Sequence, residues 1–178
     1  MKKKIIFLDF DGVMETVFQL PLEDAMKVQY DKYGPMFDEE CINNLRLIIS
    51  ATNAEIVVAS SWKLNLTLID LQDMWQSRHL PGTVIDSTPN INFMSDTEID
   101  SWLYQHEGEV DDYVILDDMT ADNFTQAQQS HFFHVNPKTG LNVETANKVI
   151  KHFSKPLEYK LKKNKIVEAP HYCLLLVH

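Results

Sequence analysis

The chain is short of cysteine, of basic residues and of long apolar runs. Only Cys41 and Cys173 occur among its 178 residues. They lack C-x-x-C spacing, which excludes a disulfide framework and the common zinc and redox motifs. Both read as buried or inert thiols, suited to a reducing compartment. After the basic start Met1-Lys2-Lys3-Lys4, the apolar run Ile5 to Leu8 stops at Asp9. That is too short for a signal-peptide core, and nothing approaches the length of a transmembrane helix. A soluble, cytoplasmic protein with no membrane partner is expected. Lysine and arginine number 16 against 26 acidic residues, a net charge of −10. This argues against broad, nonspecific nucleic-acid binding, which needs basic surface, but leaves room for a local basic groove. The five lysines from Lys155 to Lys165 read as a solvated tail. No internal repeat or low-complexity stretch is present.

What is present is a regular alternation. Lys4 to Phe10 (KIIFLDF) has no outward polar alternation, the mark of a strand buried on both faces. Glu55 to Ala59, Gly82 to Asp86, Tyr113 to Leu116 and Phe132 to Val135 read as further strands. Helical periods or caps fall at Asp38 to Ser50, Leu64 to Ser77, Asp96 to His106, Asp122 to Gln129 and Asn142 to Phe153. Asp38 and Asn142 read as N-caps, and Ser95 with Glu98 reads as a capping box. Met14 to Pro35 is an excursion from this pattern, with a short helix expected at Leu22 to Tyr30. Buried strands alternating with helices imply an α/β, Rossmann-like parallel sheet of about five strands, with helices on both faces. Its ligands should sit beyond the carboxyl ends of the strands. The expected organisation is one domain over 1–153 and a C-terminal extension over 154–178 that packs on it.

The chemistry-bearing residues fall at that edge. Asp9-Phe10-Asp11-Gly12 ends the first strand, and carboxylates at i and i+2 can face one side and attract a hard divalent cation. Gly12 permits a sharp turn there. Ser60-Ser61-Trp62-Lys63 follows the second strand, where a hydroxyl and free backbone N–H groups suit an anion. Asp117-Asp118 ends the fourth strand, with Asp122 four residues on, either a further ligand or an N-cap. His131 and His134 point to opposite faces of a strand, so a shared metal is not expected. Met74, Met94 and Met119 read as packing residues.

Asp9-Phe10-Asp11-Gly12-Val13 after an apolar strand resembles the first motif of the haloacid dehalogenase-like (HAD) hydrolases. Ser60 after Ile56-Val57-Val58-Ala59 resembles their second motif, and Asp117-Asp118 with Asp122 the fourth. The likeness spans Lys4 to Phe153. Ile56 to Lys63, Tyr113 to Asp118 and Thr139-Gly140-Leu141 look like the small HAD domains grouped with RNA-repair-type proteins. The resemblance implies an aspartyl-phosphate mechanism with Mg²⁺ as cofactor. Asp9 would be the nucleophile and Asp11 the general acid and base. Ser60 would hold the transferring phosphoryl group, with Gly12 and Ser61 beside the substrate; Trp62, by its place next to Ser60, reads either as a loop-edge core residue or as a pocket wall that can stack on a base. Asp9, Asp118, Asp117, Asp122 and the Asp11 carbonyl would hold the metal. The excursion at about 14–36 would be a minimal cap, which leaves room for a large substrate such as a nucleic-acid end.

One departure stands out. The third motif of the family is a Lys or Arg ahead of the fourth strand, yet no Lys or Arg occurs between Arg78 and Lys138. Lys63 leaves the second strand at the right edge and is the substitute; its other reading is an exposed helix lysine. Three functions follow. The leading one is a phosphomonoesterase acting on a phosphorylated small molecule or a nucleotide or nucleic-acid end. The alternatives are a catalytically silent module that binds a phosphorylated partner, and a phosphotransferase.

Overall fold

The computed structural model describes residues 2–91 and 95–154. Expectations for Met94, Cys173, the Lys155–Lys165 run and the packing of the C-terminal extension beyond Ser154 lie outside the described residues. The elements in chain order are β1 (Lys3–Leu8), α1 (Leu22–Ala25), β2 (Tyr30–Asp31), β3 (Gly34–Pro35), α2 (Glu39–Thr52), β4 (Glu55–Val58), α3 (Leu68–Ser77), β5 (Val84–Ser87), α4 (Ser95–Gln105), β6 (Val110–Asp117), α5 (Gln126–Gln129), β7 (Phe132–His134) and α6 (Val143–Phe153). Short 3-10 turns add Val17–Gln19, Ser61–Leu64 and Ala121–Asn123. Among the described residues no helix is long and apolar enough to cross a membrane.

Five strands form one sheet in the order β5-β4-β1-β6-β7, and all four pairings are parallel. The apolar run in β1 is explained by its place at the centre. Ile5, Ile6, Phe7 and Leu8 are fully buried, and alternate residues feed opposite faces. Ile6 and Leu8 join Leu45 of α2, Leu71 and Met74 of α3, and Val149 and Phe153 of α6. Ile5 and Phe7 join Ile99 and Trp102 of α4. Phe7 meets Trp102 edge-on at 5.4 Å. Each such side chain contributes about 1.5–3 kcal/mol through burial. That is ample to tolerate a few unfavourable charges at the strand ends.

Helix ends follow local chemistry, sometimes differently from the sequence reading. Asn142 caps α6 by accepting from the Thr145 N–H at 3.0 Å. The helix expected from Leu64 starts later, because Ser61–Leu64 forms a 3-10 turn and Thr67 makes a capping box with Asp70 at the start of α3. Asp38 stands at the N-cap position of α2, but its carboxylate accepts from Thr16 Oγ at 2.8 Å instead of a helix N–H. The short helix expected to reach Tyr30 ends at Ala25, and Tyr30 opens a two-strand hairpin.

That hairpin is clamped to α3. Arg78, at the helix C-terminus, donates to both carboxylate oxygens of Asp31 at 2.6 and 2.9 Å, and to the Pro35 carbonyl at 3.0 Å. Its guanidinium also lies over the Phe37 ring at 5.2 Å. A bidentate, stacked arginine holds a geometry that lysine cannot reproduce.

Candidate active site

The chain crosses from one side of β1 to the other between β5 and β6, so the β1/β6 gap is the switch point of the sheet. Ligands gather at such a crevice in open α/β sheets. The ladder continues just past the strand ends: Asp9 N–H donates to the Leu116 carbonyl at 3.0 Å, and Ala59 N–H to that of Leu8 at 2.9 Å. Asp9 is thereby brought between the Ser60 and Asp117 strand ends.

The turn after Asp9 is tight. Met14 N–H donates to the Phe10 carbonyl at 2.8 Å and Gly12 N–H to that of Glu15 at 2.8 Å. Gly12 has φ of 73°, and a Cβ there would fall 2.5 Å from Asp118 Oδ2. Glycine is required both for the left-handed backbone and for the approach of Asp118. Asp11 is held by two donors from the turn after β4, Trp62 Nε1 at 2.9 Å and Ser61 Oγ at 3.2 Å. Ser60, fully buried, donates to the Asp9 carboxylate, and its oxygen lies 3.5 Å from the Trp62 N–H. So the Ser60-Ser61-Trp62 run orients both carboxylates of the first strand. The Trp62 ring meets Phe10 edge-on at 5.4 Å, which fixes the indole N–H toward Asp11.

Asp9, Asp117 and Asp118 present carboxylate oxygens that lie within 4.8 Å of one another. Burial, then the neighbouring Asp117 charge, pushes the Asp9 carboxyl well above the usual carboxylate range. Burial raises Asp117 to about 6, with Asp118 adding to it and the Met119 N–H, 2.8 Å from Oδ1, opposing. Asp118 is raised by burial and by Asp11, with His134 opposing. Glu15 was not singled out in the sequence. It is buried beside Asp11, and burial together with a hydrogen bond to Asp11 raises it to about 7. Like charges forced together in low dielectric resist ionisation. Asp122 does not join this group: it sits in the exposed 3-10 turn Ala121–Asn123, whose geometry carries it past the strand end.

Lys63 lies at the site and not on an exposed helix face. Its side chain is 6% exposed and lines a cleft of about 290 Å³ with Asp9, Asp11, Ser61, Asp117 and Asp118. The ammonium donates to Glu98 of α4 and to Thr88 Oγ, just after β5. The capping-box reading of Ser95 and Glu98 is overturned here. Ser95 is already helical, and the Glu98 carboxylate turns to Lys63 and to the Ile91 N–H at 2.9 Å. An acid three residues into a helix reads as a capping partner from sequence alone; only the fold reveals a buried cation within its reach.

A second, more open groove of about 500 Å³ shares Asp11 and Ser61 with the cleft. The hairpin and the turn before it supply its far wall, with Phe18, Tyr30, Lys32 and Tyr33 facing Trp62. His131 and His134 take different neighbours, as their spacing implies. His131 stacks on Tyr113 at 4.1 Å, while His134 acts on Asp118.

No curated protein and no solved structure matches the chain. A family model matches residues 5–146, from the first strand to the start of the last helix. With that span, the chain belongs to the family of HAD domains in Swiss Army Knife RNA repair proteins.

Proposed function

We propose that the protein is a Mg²⁺-dependent phosphomonoesterase that works through an aspartyl-phosphate on Asp9, with a nucleic-acid end as its substrate. The observation that carries this reading is the group of three close carboxylates at the switch point, Asp117 buried and Asp9 and Asp118 half-buried, all raised by desolvation and neighbouring charge. Such a set fits a hard cation, which takes oxygen ligands. Asp9, Asp117 and Asp118 would hold Mg²⁺, with the Asp11 carbonyl. Bound there, the ion supplies the charge neutralisation that lets an anionic carboxylate meet an anionic phosphate.

The residues then divide the work. An Asp9 oxygen attacks phosphorus while the bond to the leaving oxygen breaks, and Asp11 gives that oxygen its proton. Water next attacks phosphorus as Asp11, now ionised, takes a proton from that water. The Asp9–phosphorus bond breaks, releasing inorganic phosphate. Trp62 and Ser61 hold Asp11 in place for both transfers. Ser60 and Lys63 face the phosphoryl oxygens, where positioning and charge dominate this chemistry.

The residues at about 14–36 would act as a small cap. Three aromatic side chains of that segment and Lys32 line a groove continuous with the phosphate cleft. Aromatic faces with an interleaved cation suit stacked bases and a phosphate backbone. The family name, which refers to RNA repair, agrees with that substrate. A second reading, a silent phosphate-binding module, draws on the pairing of Lys63 with Glu98, which commits the lysine that lines the cleft.

Hydrolysis of an aryl phosphate and of a 3′-phosphorylated oligonucleotide, with Mg²⁺ or EDTA, tests the reading. Metal-dependent turnover that is lost in Asp9→Asn, with the fold retained, is the expected result. Retained turnover in that variant would remove Asp9 as nucleophile, and silence of the wild type on both substrates would favour the binding module.

A further inference from the structure

The HAD third motif puts a cation ahead of the fourth sheet strand, whereas this chain puts an acid there. Glu98 projects from α4 and meets Lys63, which arrives from the turn after β4. Both side chains are almost wholly enclosed, at 6% and 8% exposure. Thr88, itself buried, takes a second N–H of the ammonium, and the other Glu98 oxygen is fixed by the Ile91 N–H.

We propose that Glu98 is a positioning residue for the phosphate site: with Thr88 it fixes the Lys63 ammonium so that its remaining N–H serves the anion in the cleft. The proposal rests on the phosphatase reading above. A lysine stem has about 2 kcal/mol of rotamer entropy and gives no fixed direction by itself. An ammonium has three donors, and two are spent on Glu98 and Thr88. Those two contacts from different elements set the direction of the third. The cleft wall that holds Lys63 and Glu98 also holds Asp9, Asp11 and Ser61. Burying the ammonium without a counter-charge would be costly, and losing one partner of a buried pair is worse than replacing both. Glu98 thus keeps a cation at the cleft in the absence of substrate, at a cost in net charge that only accurate placement offsets.

Glu98→Gln separates positioning from neutralisation by the sign of its effect. Lys63 and Ile91 donate to different oxygens of Glu98, so in the amide one of the two donors would face an NH2 group instead of an acceptor. If Glu98 merely cancels the lysine charge, the variant binds inorganic phosphate as tightly as wild type or more tightly, because a negative charge has gone. If Glu98 positions Lys63, phosphate binding weakens and kcat on an aryl phosphate falls. The expected loss is roughly 10- to 100-fold in kcat with a smaller change in KM, the size of effect seen for residues that orient a reactive group. Lys63→Gln should match it, and the double variant should be little worse than either single one. Thr88→Val, which leaves the charges untouched, should lose several-fold, and Glu98→Asp should recover part of the rate.

Thermal unfolding of each variant establishes that it is folded, and Thr88→Val carries the test if Glu98→Gln is not. Wild-type kcat and phosphate affinity in both Glu98→Gln and Thr88→Val would overturn the proposal while leaving the phosphatase reading intact. A wild-type protein that turns over no substrate would sink the phosphatase reading. The positioning role would then be decided by inorganic phosphate affinity alone, with weaker binding in the variants supporting it and unchanged or tighter binding overturning it.

Discussion

Strand β6 carries a buried aspartate near each end, and the two have opposite company. Asp112, near the start, is 4% exposed, and Asp117, at the end, is 3% exposed. Asp112 lies 3.1 Å from His152 Nε2 of α6 and 3.5 Å from His131 Nδ1 just before β7. His131 is fixed in turn by the Tyr113 carbonyl at 2.9 Å and by stacking on the Tyr113 ring. Asp117 meets Asp9 and Asp118, and its aid comes from the Met119 N–H. Lys63, which lines the same cleft, is already bound to Glu98. Burial is therefore equal and does not identify the functional end. What separates the ends is the company: Asp117 faces other carboxylates, a charge that a divalent cation would cancel. At the other end, two imidazoles tie the last helix to the sheet.

The largest expected break between the two ends is in turnover. Asp117→Asn should lower Mg²⁺-dependent hydrolysis by at least roughly 10- to 100-fold, since ligand orientation and charge are both affected. In EDTA the same variant should unfold at a higher temperature than wild type, because one repelling charge has gone. Asp112→Asn should do the reverse, with wild-type turnover and reduced stability. If it lowers turnover as much as Asp117→Asn does, the division between the ends is wrong.

The pH dependence sharpens the same contrast. Asp117 is raised to about 6 and Glu15 to about 7. Between their unfolded values near 4 and these folded values, the native state holds more protons than the unfolded chain. Its stability is then greatest at low pH and falls as pH rises through 6 and 7. Metal-free protein should lose thermal stability from pH 5 to pH 8, and Mg²⁺ should restore it most at pH 8. A metal-free melting temperature that rises across this range would mean that the carboxylates are compensated.

The third effect is smaller. Asp112→Asn removes a charge from a buried hydrogen-bonded pair, a loss of about 1–3 kcal/mol. In a chain of this size 1 kcal/mol shifts the melting temperature by roughly 2–4 °C. Calorimetry should therefore find a decrease of several degrees, with hydrogen exchange increased in α6.

The uneven legibility of the site has a physical origin. The strand ends were readable because an apolar run in a doubly covered strand must stop where the chain meets water, and Asp9, Ser60 and Asp117 mark those stops. Gly12 was readable as a turn, but its closeness to Asp118 depends on two strands being neighbours. Lys63 had two open readings because a residue leaving a strand can face the cleft or the solvent; α4 decides between them by bringing Glu98 within reach. Glu98 reads as a capping partner in the sequence and is an ion-pair partner in the fold, since a local capping pattern and a distant ion pair use the same residue type. Asp122 reads equally as a ligand or an N-cap by spacing, and it stands exposed in the 3-10 turn, apart from the three close carboxylates. Local chemistry is written in short patterns, whereas partners contributed by different elements appear only after packing.

Asp31 adds a third carboxylate with a dedicated partner, and it provides the mildest test. Arg78 holds it with two hydrogen bonds and also reaches the Pro35 carbonyl, so one side chain fastens the hairpin that walls the outer groove. Arg78→Lys keeps the charge and loses the planar fork. Like Asp112, Asp31 serves architecture, and global stability should fall, because the enclosed Arg78 side chain makes contacts that a lysine cannot all keep. Turnover of a small aryl phosphate should stay within a few-fold of wild type, because Asp9, Asp117 and Asp118 stand at the ends of β1 and β6 and not on the hairpin. Hydrolysis of a phosphorylated oligonucleotide should suffer more, through KM, as the wall bearing Tyr30 and Lys32 loosens. Equal effects on both substrates would detach the hairpin from substrate selection and leave it, like the histidine clasp, a device of the fold alone.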